Sequence, residues 1–536
     1  MNVPDARAWP KSLWIVAALC GLIVLAGCRD KSTGERPRGP AKQTDAQGGL
    51  FESVAENLDH LEQFETAQIL KQICDRLNQW YLQEQPQVAW RPDPLLAGLS
   101  EELRRGPDVR SLEQVRFRDP EDAWFLQEAV WLRDISALAR ADQFQDLAVA
   151  ERLFDWTVRN IQLEDDAKSG DGPANRHWPF ETLLYGRGTA IERAWLFILL
   201  ARQQGLDVVM LGLADENGQS VRPWLPALVL DNELYLFDSR LGLPIPGPTE
   251  GSVATLAQVA ADEQLLRRLD LDDEHPYPVR AEDLKRVVAF VEGSPTGLSQ
   301  RMALVESRLA GKHKMKLTSP GGALAERVAK LPHVAEVKLW PVPFEVSRWK
   351  AELGLDEQRN AAREMVLYQA MPALKRARAL HFKGAYEGEE GAKRFYLSAR
   401  PPEKFIEDYK LPEETLKQIP AGSVSRVEAV QIILMREGKQ NASFWLGLIF
   451  FEQEDYPNAI DFLAKRTLGA GANSKSPWTA AARYNLARVY EAEGKLAEAI
   501  ELYESDTDSP QRHGNQLRAR RLKQKSGAAA KGPQAT

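Results

Sequence analysis

The stretch Ala190–Ala201 is the strongest constraint on the fold, because Ala194 and the continuous run Trp195 to Leu200 leave this segment almost no polar face. A helix apolar on all sides has to be surrounded, so the chain must build protein around it. Its ends are written in the sequence. Thr189 followed three positions later by Glu192 is a capping-box signature that starts a helix at Ala190. Gly205 stops it, with Arg202 in the last turn. A short β pattern at Val208–Leu213 follows. Two further strands, Trp224–Leu230 and Glu233–Asp238, flank Asp231-Asn232, a pair suited to a tight hairpin turn.

A buried helix entered through Gly186-Arg187-Gly188-Thr189 and followed by an antiparallel hairpin resembles the core of the transglutaminase-like, papain-related superfamily. Leu153–Ile161 is similar to that family's lead-in helix. The resemblance implies an α+β core, a buried helix packed on antiparallel strands, flanked by helical segments. In that family a Cys at the first helical position, a His on the first hairpin strand and an Asp on the second form the triad. Alignment on Gly188 and on the Arg202-x-x-Gly205 ending places the Cys position at Ala190; the hairpin places the His at Pro226 and the Asp at Asp238. Ala190 has no nucleophile and Pro226 no imidazole, so no catalytic triad is intact. The competing reading is an unrelated α/β core with a buried helix.

The N-terminus carries an address. Leu13–Ala26 is an apolar run too short to span a bilayer comfortably, behind a segment with Arg7 and Lys11. Its end, Leu25-Ala26-Gly27-Cys28, resembles the bacterial lipobox, which implies lipidation of Cys28 after cleavage and a lipid-anchored, extracytoplasmic protein of the cell envelope on the periplasmic side. An uncleaved anchor or a chance Cys is the alternative. With Cys20 in the signal and Cys28 acylated, Cys74 is the single remaining thiol, and its helical apolar surroundings read as packing. A net charge of −7 argues against a nucleic-acid partner. His275, His313 and His333 show no metal-ligand spacing, and no metal or cofactor is expected. Trp124 and Trp131, seven residues apart, read as core, and His177 as a surface or satisfied loop residue.

The C-terminal part repeats. Ser443-x-x-Leu446-Gly447-x-x-Phe450 with Ala459 and Leu463 recurs as Arg483-x-x-Leu486-Ala487-x-x-Tyr490 with Ala499 and Tyr503. This is similar to the tetratricopeptide helix-turn-helix pattern, at an offset of 40 residues whose excess length falls in the loop Gly469–Pro477. Ala373–Pro402, with Ala392 and Tyr396, reads as a degenerate preceding unit, and a helix near Val424–Glu437 as completing the array. The competing reading is a generic pair of helical hairpins. The resemblance implies a groove for a protein partner lined by Asn441, Phe444, Leu448, Tyr484, Arg488 and Glu491.

The expected organisation is a signal peptide at 1–27, a flexible tether at 28–50, a helical region at 51–145, a transglutaminase-like domain at 146–250 closed by Leu243–Pro248, a helical linker at 251–370, an α-helical tetratricopeptide-like array at 371–508 and a basic tail at 509–536. The expected function is that of a lipid-anchored interaction or scaffold protein with a non-catalytic transglutaminase-like domain. The alternatives are an acyl transferase or cysteine-protease-like hydrolase with an atypical nucleophile such as Thr189, and a small-molecule binder using the emptied cleft.

Overall fold

The computed structural model describes residues 49–64, 66–165, 176–215, 217–218, 220–319, 321–354, 363–469 and 476–530. The segment expected as a signal peptide, almost all of the expected tether with Cys28, and loop residues 470–475 lie outside the described residues. Two compact units emerge: a larger one of Asp45–Glu352, Phe382–Gly384 and Thr479–Thr536, and a smaller one containing Leu353–His381 and Ala385–Trp478.

The larger unit opens with helices α1 (Gly49–Asp59), α2 (Thr66–Glu84), α3 (Glu121–Arg140) and α4 (Asp146–Asn160). Phe51, Leu58, Leu77, Trp80 and Leu126 share one core in which Cys74 is buried. Burial pushes the Cys74 thiol up to about 12, with the Asp122 carboxylate adding to the shift, so it packs as a neutral side chain. Trp131 is buried as expected. Trp124 is not: it lies near the N-terminus of α3, partly exposed and stacked on Phe180.

A two-residue parallel ladder, β1 (Gln162–Leu163) with β2 (Arg187–Gly188), brackets helix α5 (Pro179–Tyr185) and leads into α6 (Ala190–Gln203). The capping box forms as the sequence dictates. Thr189 Oγ1 accepts from Glu192 N at 3.3 Å, and Glu192 Oε2 accepts from Thr189 N at 2.7 Å. Every residue from Glu192 to Ala201 is buried. Gly205 then takes φ +77°, the left-handed conformation that glycine supplies without steric cost.

The main sheet has six strands in the order β6-β5-β4-β3-β7-β8. They are β3 (Val208–Ala214), β4 (Val221–Leu230), β5 (Glu233–Asp238), β6 (Leu243–Pro244), β7 (Val287–Val291) and β8 (Val334–Leu339). All neighbours are antiparallel except β7 and β8. Asp231 and Asn232 both have positive φ in the β4–β5 turn, as their pairing predicts. Between Met210 and Gly212 the register shifts, so that Leu211 faces both Trp224 and Leu225, with Pro223 and Pro226 on either side of that pair. Helix α6 packs on one face, where Phe237 meets Phe197 at 5.1 Å and Phe154 of α4 at 5.2 Å. Leu225, Ala227, Leu234, Leu236 and Val287 turn to the other face, under helices α7 (Leu256–Ala261) and α9 (Gly321–Val328). Helix α8 (Gln300–Arg308) sends Met302 and Val305 into the core built by α1 to α3, and α10 (Val342–Glu352) ends this part of the unit.

Leu243–Pro248 therefore does not close the domain, and 251–370 is not a helical linker. It contains β7 and β8. Val287–Val291 is a continuous apolar run, the pattern of a strand buried on both faces, and this signal was present in the sequence.

The smaller unit contains α11 (Arg363–Ala370), α12 (Pro372–Phe382), α13 (Ala392–Ser398), α14 (Val424–Glu452) and α15 (Tyr456–Ile460), which continues as a π-helical segment over Asp461–Leu468. The helix expected near Val424–Glu437 is not separate; it is the first half of the 29-residue α14. Ala392 and Tyr396 are both buried. The second repeat, α16 (Thr479–Ala492) and α17 (Leu496–Glu504), belongs to the larger unit, as does α18 (Arg512–Ala530). The segment expected as one array at 371–508 is thus divided at Trp478, and the expected basic tail is largely helix. Several of its cations are engaged: Arg518 pairs with Glu491, Lys523 with Glu504, and Arg520 Nη1 donates to the Asp270 carbonyl at 2.7 Å.

Candidate functional site

Three positions were expected at the emptied triad, and the structure does not bring all three together. Ala190 is the first residue of α6. Pro226 pairs with Met210 across β3 and β4. Asp238 ends β5, but side chains alternate along a strand, so Phe237 faces α6 while Asp238 turns to the opposite face of the sheet. There Asp238 Oδ1 accepts from the backbone of Arg240 at 2.9 Å and Leu241 at 2.8 Å, and Oδ2 accepts from Tyr277 Oη at 2.7 Å. Tyr277 Oη in turn accepts from Trp224 Nε1 at 2.9 Å. Burial pushes the Asp238 carboxyl up, opposed by the Leu241 N–H and the Tyr277 hydroxyl, which favour the ionised form. Asp238 is therefore corrected from a triad remnant to the closing carboxylate of a turn.

The groups at the α6 N-terminus are different ones. Glu192 Oε1 accepts from His177 N at 2.5 Å, and His177 Nδ1 stands 3.7 Å from the same oxygen. His177 is thus a mostly buried neighbour of Glu192, its ring edge-on to Tyr185. Thr189, the atypical nucleophile considered above, has its hydroxyl oxygen engaged in the cap. Next in sequence, the buried Arg193 donates Nε to Ile161 O at 2.8 Å and Nη1 to Ser239 O at 3.3 Å. Burial pulls its pKa down to about 9. Carbonyls at the C-terminus of α4 complement its charge, so Arg193 joins α6 to α4.

The repeats have a common construction. Asp455 N donates to Phe450 O at 2.8 Å and Lys495 N to Tyr490 O at 2.8 Å; Ala459 N donates to Asp455 O at 2.9 Å and Ala499 N to Lys495 O at 3.1 Å. The turn residues Glu454 and Gly494 both have positive φ. A Cβ on Gly447 would lie 2.7 Å from the Leu463 side chain, which is the close helix approach that a small residue permits.

Of the six residues expected to line an open groove, Asn441, Phe444, Leu448 and Tyr484 are buried, and the partly buried Arg488 and Glu491 are held in ion pairs within the chain. Asn441 Nδ2 donates to Glu437 O at 2.9 Å, Phe444 stacks on Trp478 with ring centroids 4.5 Å apart, and Leu448 is fully buried. In the second repeat Tyr484 is buried, Arg488 Nη1 binds Asp155 at 2.5 Å, and Glu491 binds Arg518 at 2.8 Å. Helices α4 and α18 supply these counter-charges, and the spacing within a repeat carries no information about such distant segments.

A family model for the tetratricopeptide repeat matches residues 440–505, covering both hairpins. No curated protein and no solved structure matches the chain. The C-terminal part is thus tetratricopeptide-like, a class of repeat that mediates contacts between proteins.

Proposed function

We propose that this chain is a lipid-anchored, extracytoplasmic interaction or scaffold protein, in which a transglutaminase-like core that lacks a nucleophile supports tetratricopeptide-like repeats. The observation that carries the reading is the repeat itself, matched over 440–505 and duplicated bond for bond at Phe450–Asp455 and Tyr490–Lys495. The anchor rests on Leu25-Ala26-Gly27-Cys28 and the apolar run before it. Absence of catalysis is supported by Ala190 at the head of α6, by Pro226, and by an Asp238 carboxylate already engaged with Tyr277.

The test has two readouts in a bacterial host. Labelling with a radioactive fatty acid marks the protein, and Cys28→Ala abolishes the label and leaves a precursor; equal labelling of the variant removes the anchor. Purified protein, wild type and Ala190→Cys alike, shows no acyl transfer or peptide hydrolysis. Turnover by either removes the scaffold reading of the core.

A further inference from the structure

One buried carboxyl group of the larger unit has no cation of its own. Glu128, on α3, is 6% exposed, and its Oε2 accepts from Phe180 N at 3.0 Å, which fixes the first turn of α5. Two more buried carboxylates share this place. Glu181 of α5 accepts from Trp178 N at 2.7 Å and stands 2.5 Å from Lys350 Nζ on α10. Glu292, directly after β7, accepts from Trp195 Nε1 at 3.1 Å and stands 2.5 Å from Arg202 Nη2 on α6.

Three carboxyl groups therefore face two cations, and both cations are taken. Of the charged groups just before α5, Arg176 pairs with Glu345, and His177 stands against Glu192. Helices α1, α2, α4 and α6 also pack on α3, and among the described residues no ion pair joins any of them to Glu128. A carboxylate buried without a cation is costly, so the group keeps its proton. Burial pushes Glu128 up to about 8, the Phe180 N–H opposes the shift, and the Glu292 and Glu181 carboxylates add to it.

We propose that Glu128 is a pH-sensitive latch on α5. Protonated, it is a neutral acceptor that holds Phe180 and the first turn of α5 against α3. As pH rises the proton passes to solvent, and a third negative charge appears among side chains that exclude water. Hydration relieves it: the first turn of α5 lifts from α3, opens the stack of Trp124 on Phe180 and admits water to Trp195. Helix α5 leads through β2 into the cap of α6, so the latch bears on the α6 N-terminus. This inference is independent of the anchor and of the interaction reading.

Tryptophan emission and amide deuterium exchange of the full chain, the latter corrected for its intrinsic rise with pH, are followed between about pH 6 and 9. The wild-type emission maximum moves to longer wavelength with a midpoint of about 8, and exchange in Pro179–Tyr185 accelerates over the same range. Glu128→Gln keeps an acceptor for Phe180 N but cannot ionise, so it shows neither change. A carboxyl raised in the fold loses its contribution as pH climbs from its unfolded pKa of about 4 through the folded value. The urea midpoint of Glu128→Gln therefore exceeds that of wild type at alkaline pH and converges on it toward about pH 4. Lys350→Met leaves Glu181 uncompensated and moves the emission midpoint upward, whereas His177→Gln leaves it in place, which separates Glu128 from the imidazole next to Trp178. The latch is overturned by a wild type without the emission change, by the same midpoint in Glu128→Gln, by a transition without faster exchange in α5, by a midpoint indifferent to Lys350→Met, or by a transition lost in His177→Gln.

Discussion

Arg488 donates through Nη1 to the Asp155 carboxylate at 2.5 Å, so the second repeat holds a carboxylate of its own chain where an open groove would offer the guanidinium to a partner. Tyr484 Oη accepts from the same Nη1 at 3.2 Å. Arg488→Ala therefore acts first on stability. Asp155 keeps 31% of its side chain exposed, which places the pair between exposed ion pairs worth about 1 kcal/mol or less and buried ones whose disruption costs about 3–5 kcal/mol. A loss of about 2 kcal/mol in urea unfolding of the full chain is expected. An unchanged midpoint would show that the pair contributes nothing.

The same network sets an acid limit. Burial alone would raise the Asp155 and Glu491 carboxyls, but Arg488 and Arg159 around Asp155, and Arg518 and Arg488 around Glu491, outweigh it and hold both below their usual range. A carboxyl depressed in the fold contributes stability above its unfolded pKa near 4, and that contribution is lost as pH falls through the folded value. The urea midpoint should thus fall as pH drops below about 4.5, and fall less in Asp155→Asn, which has no charge left to lose at that position. Parallel pH curves for the two proteins would contradict this.

Tyr277 bridges Trp224 and Asp238 through a single hydroxyl. Tyr277→Phe leaves a half-buried indole N–H without its acceptor and removes a donor from Asp238, at a cost of about 1–3 kcal/mol with no effect on any acyl-transfer assay. Asp238 titrates with the opposite sign to Asp155. Burial raises its carboxyl, so it favours the fold most below its unfolded pKa and progressively less as pH rises through the folded value. A midpoint in Tyr277→Phe equal to wild type would remove the hydroxyl from this account.

The α6 cap separates two roles within one motif. Thr189→Ala removes one acceptor and should cost about 1 kcal/mol. Glu192→Ala leaves both Thr189 N and His177 N without their acceptor beneath a nearly fully buried side chain, and should cost about 2–3 kcal/mol. Equal thermal shifts for the two variants would show that the His177 bond is immaterial.

Local chemistry was legible in the sequence. Thr189 with Glu192 fixed the start of α6, Asp231-Asn232 fixed a turn, and Gly447 with Leu463 fixed a close helix pair. What failed were relations between distant segments. Whether Arg488 meets solvent depends on Asp155, more than 300 positions away, and no spacing inside a repeat encodes that neighbour. Asp238 was placed on the right strand, but its hydroxyl partner Tyr277 lies beyond the stretch read as the domain, which left its face unread. Strand β7 is short and flanked by charged segments that read as helix, although Val287–Val291 itself has the composition of a central strand.

The last helix offers the sharpest test of how the C-terminus is held. Gly514, within α18, runs so close to the Leu241 backbone that a Cβ would sit 1.8 Å from the Leu241 carbonyl oxygen and 2.7 Å from its carbon. Backbone cannot yield as a side-chain tip can, so Gly514→Ala must push α18 away from the β5–β6 turn. That displacement would pull His513 Nε2 from the Leu269 carbonyl, at 2.7 Å, and Arg520 Nη1 from the Asp270 carbonyl. Helix propensity alone would favour alanine by about 1 kcal/mol, so a helix free of the body would be stabilised by the change. If α18 is packed as described, Gly514→Ala instead destabilises the full chain by about 3 kcal/mol and opens α18 to limited proteolysis after its many basic residues. A variant that melts at or above the wild-type temperature with the same proteolytic pattern would show that this helix is not docked against Leu241.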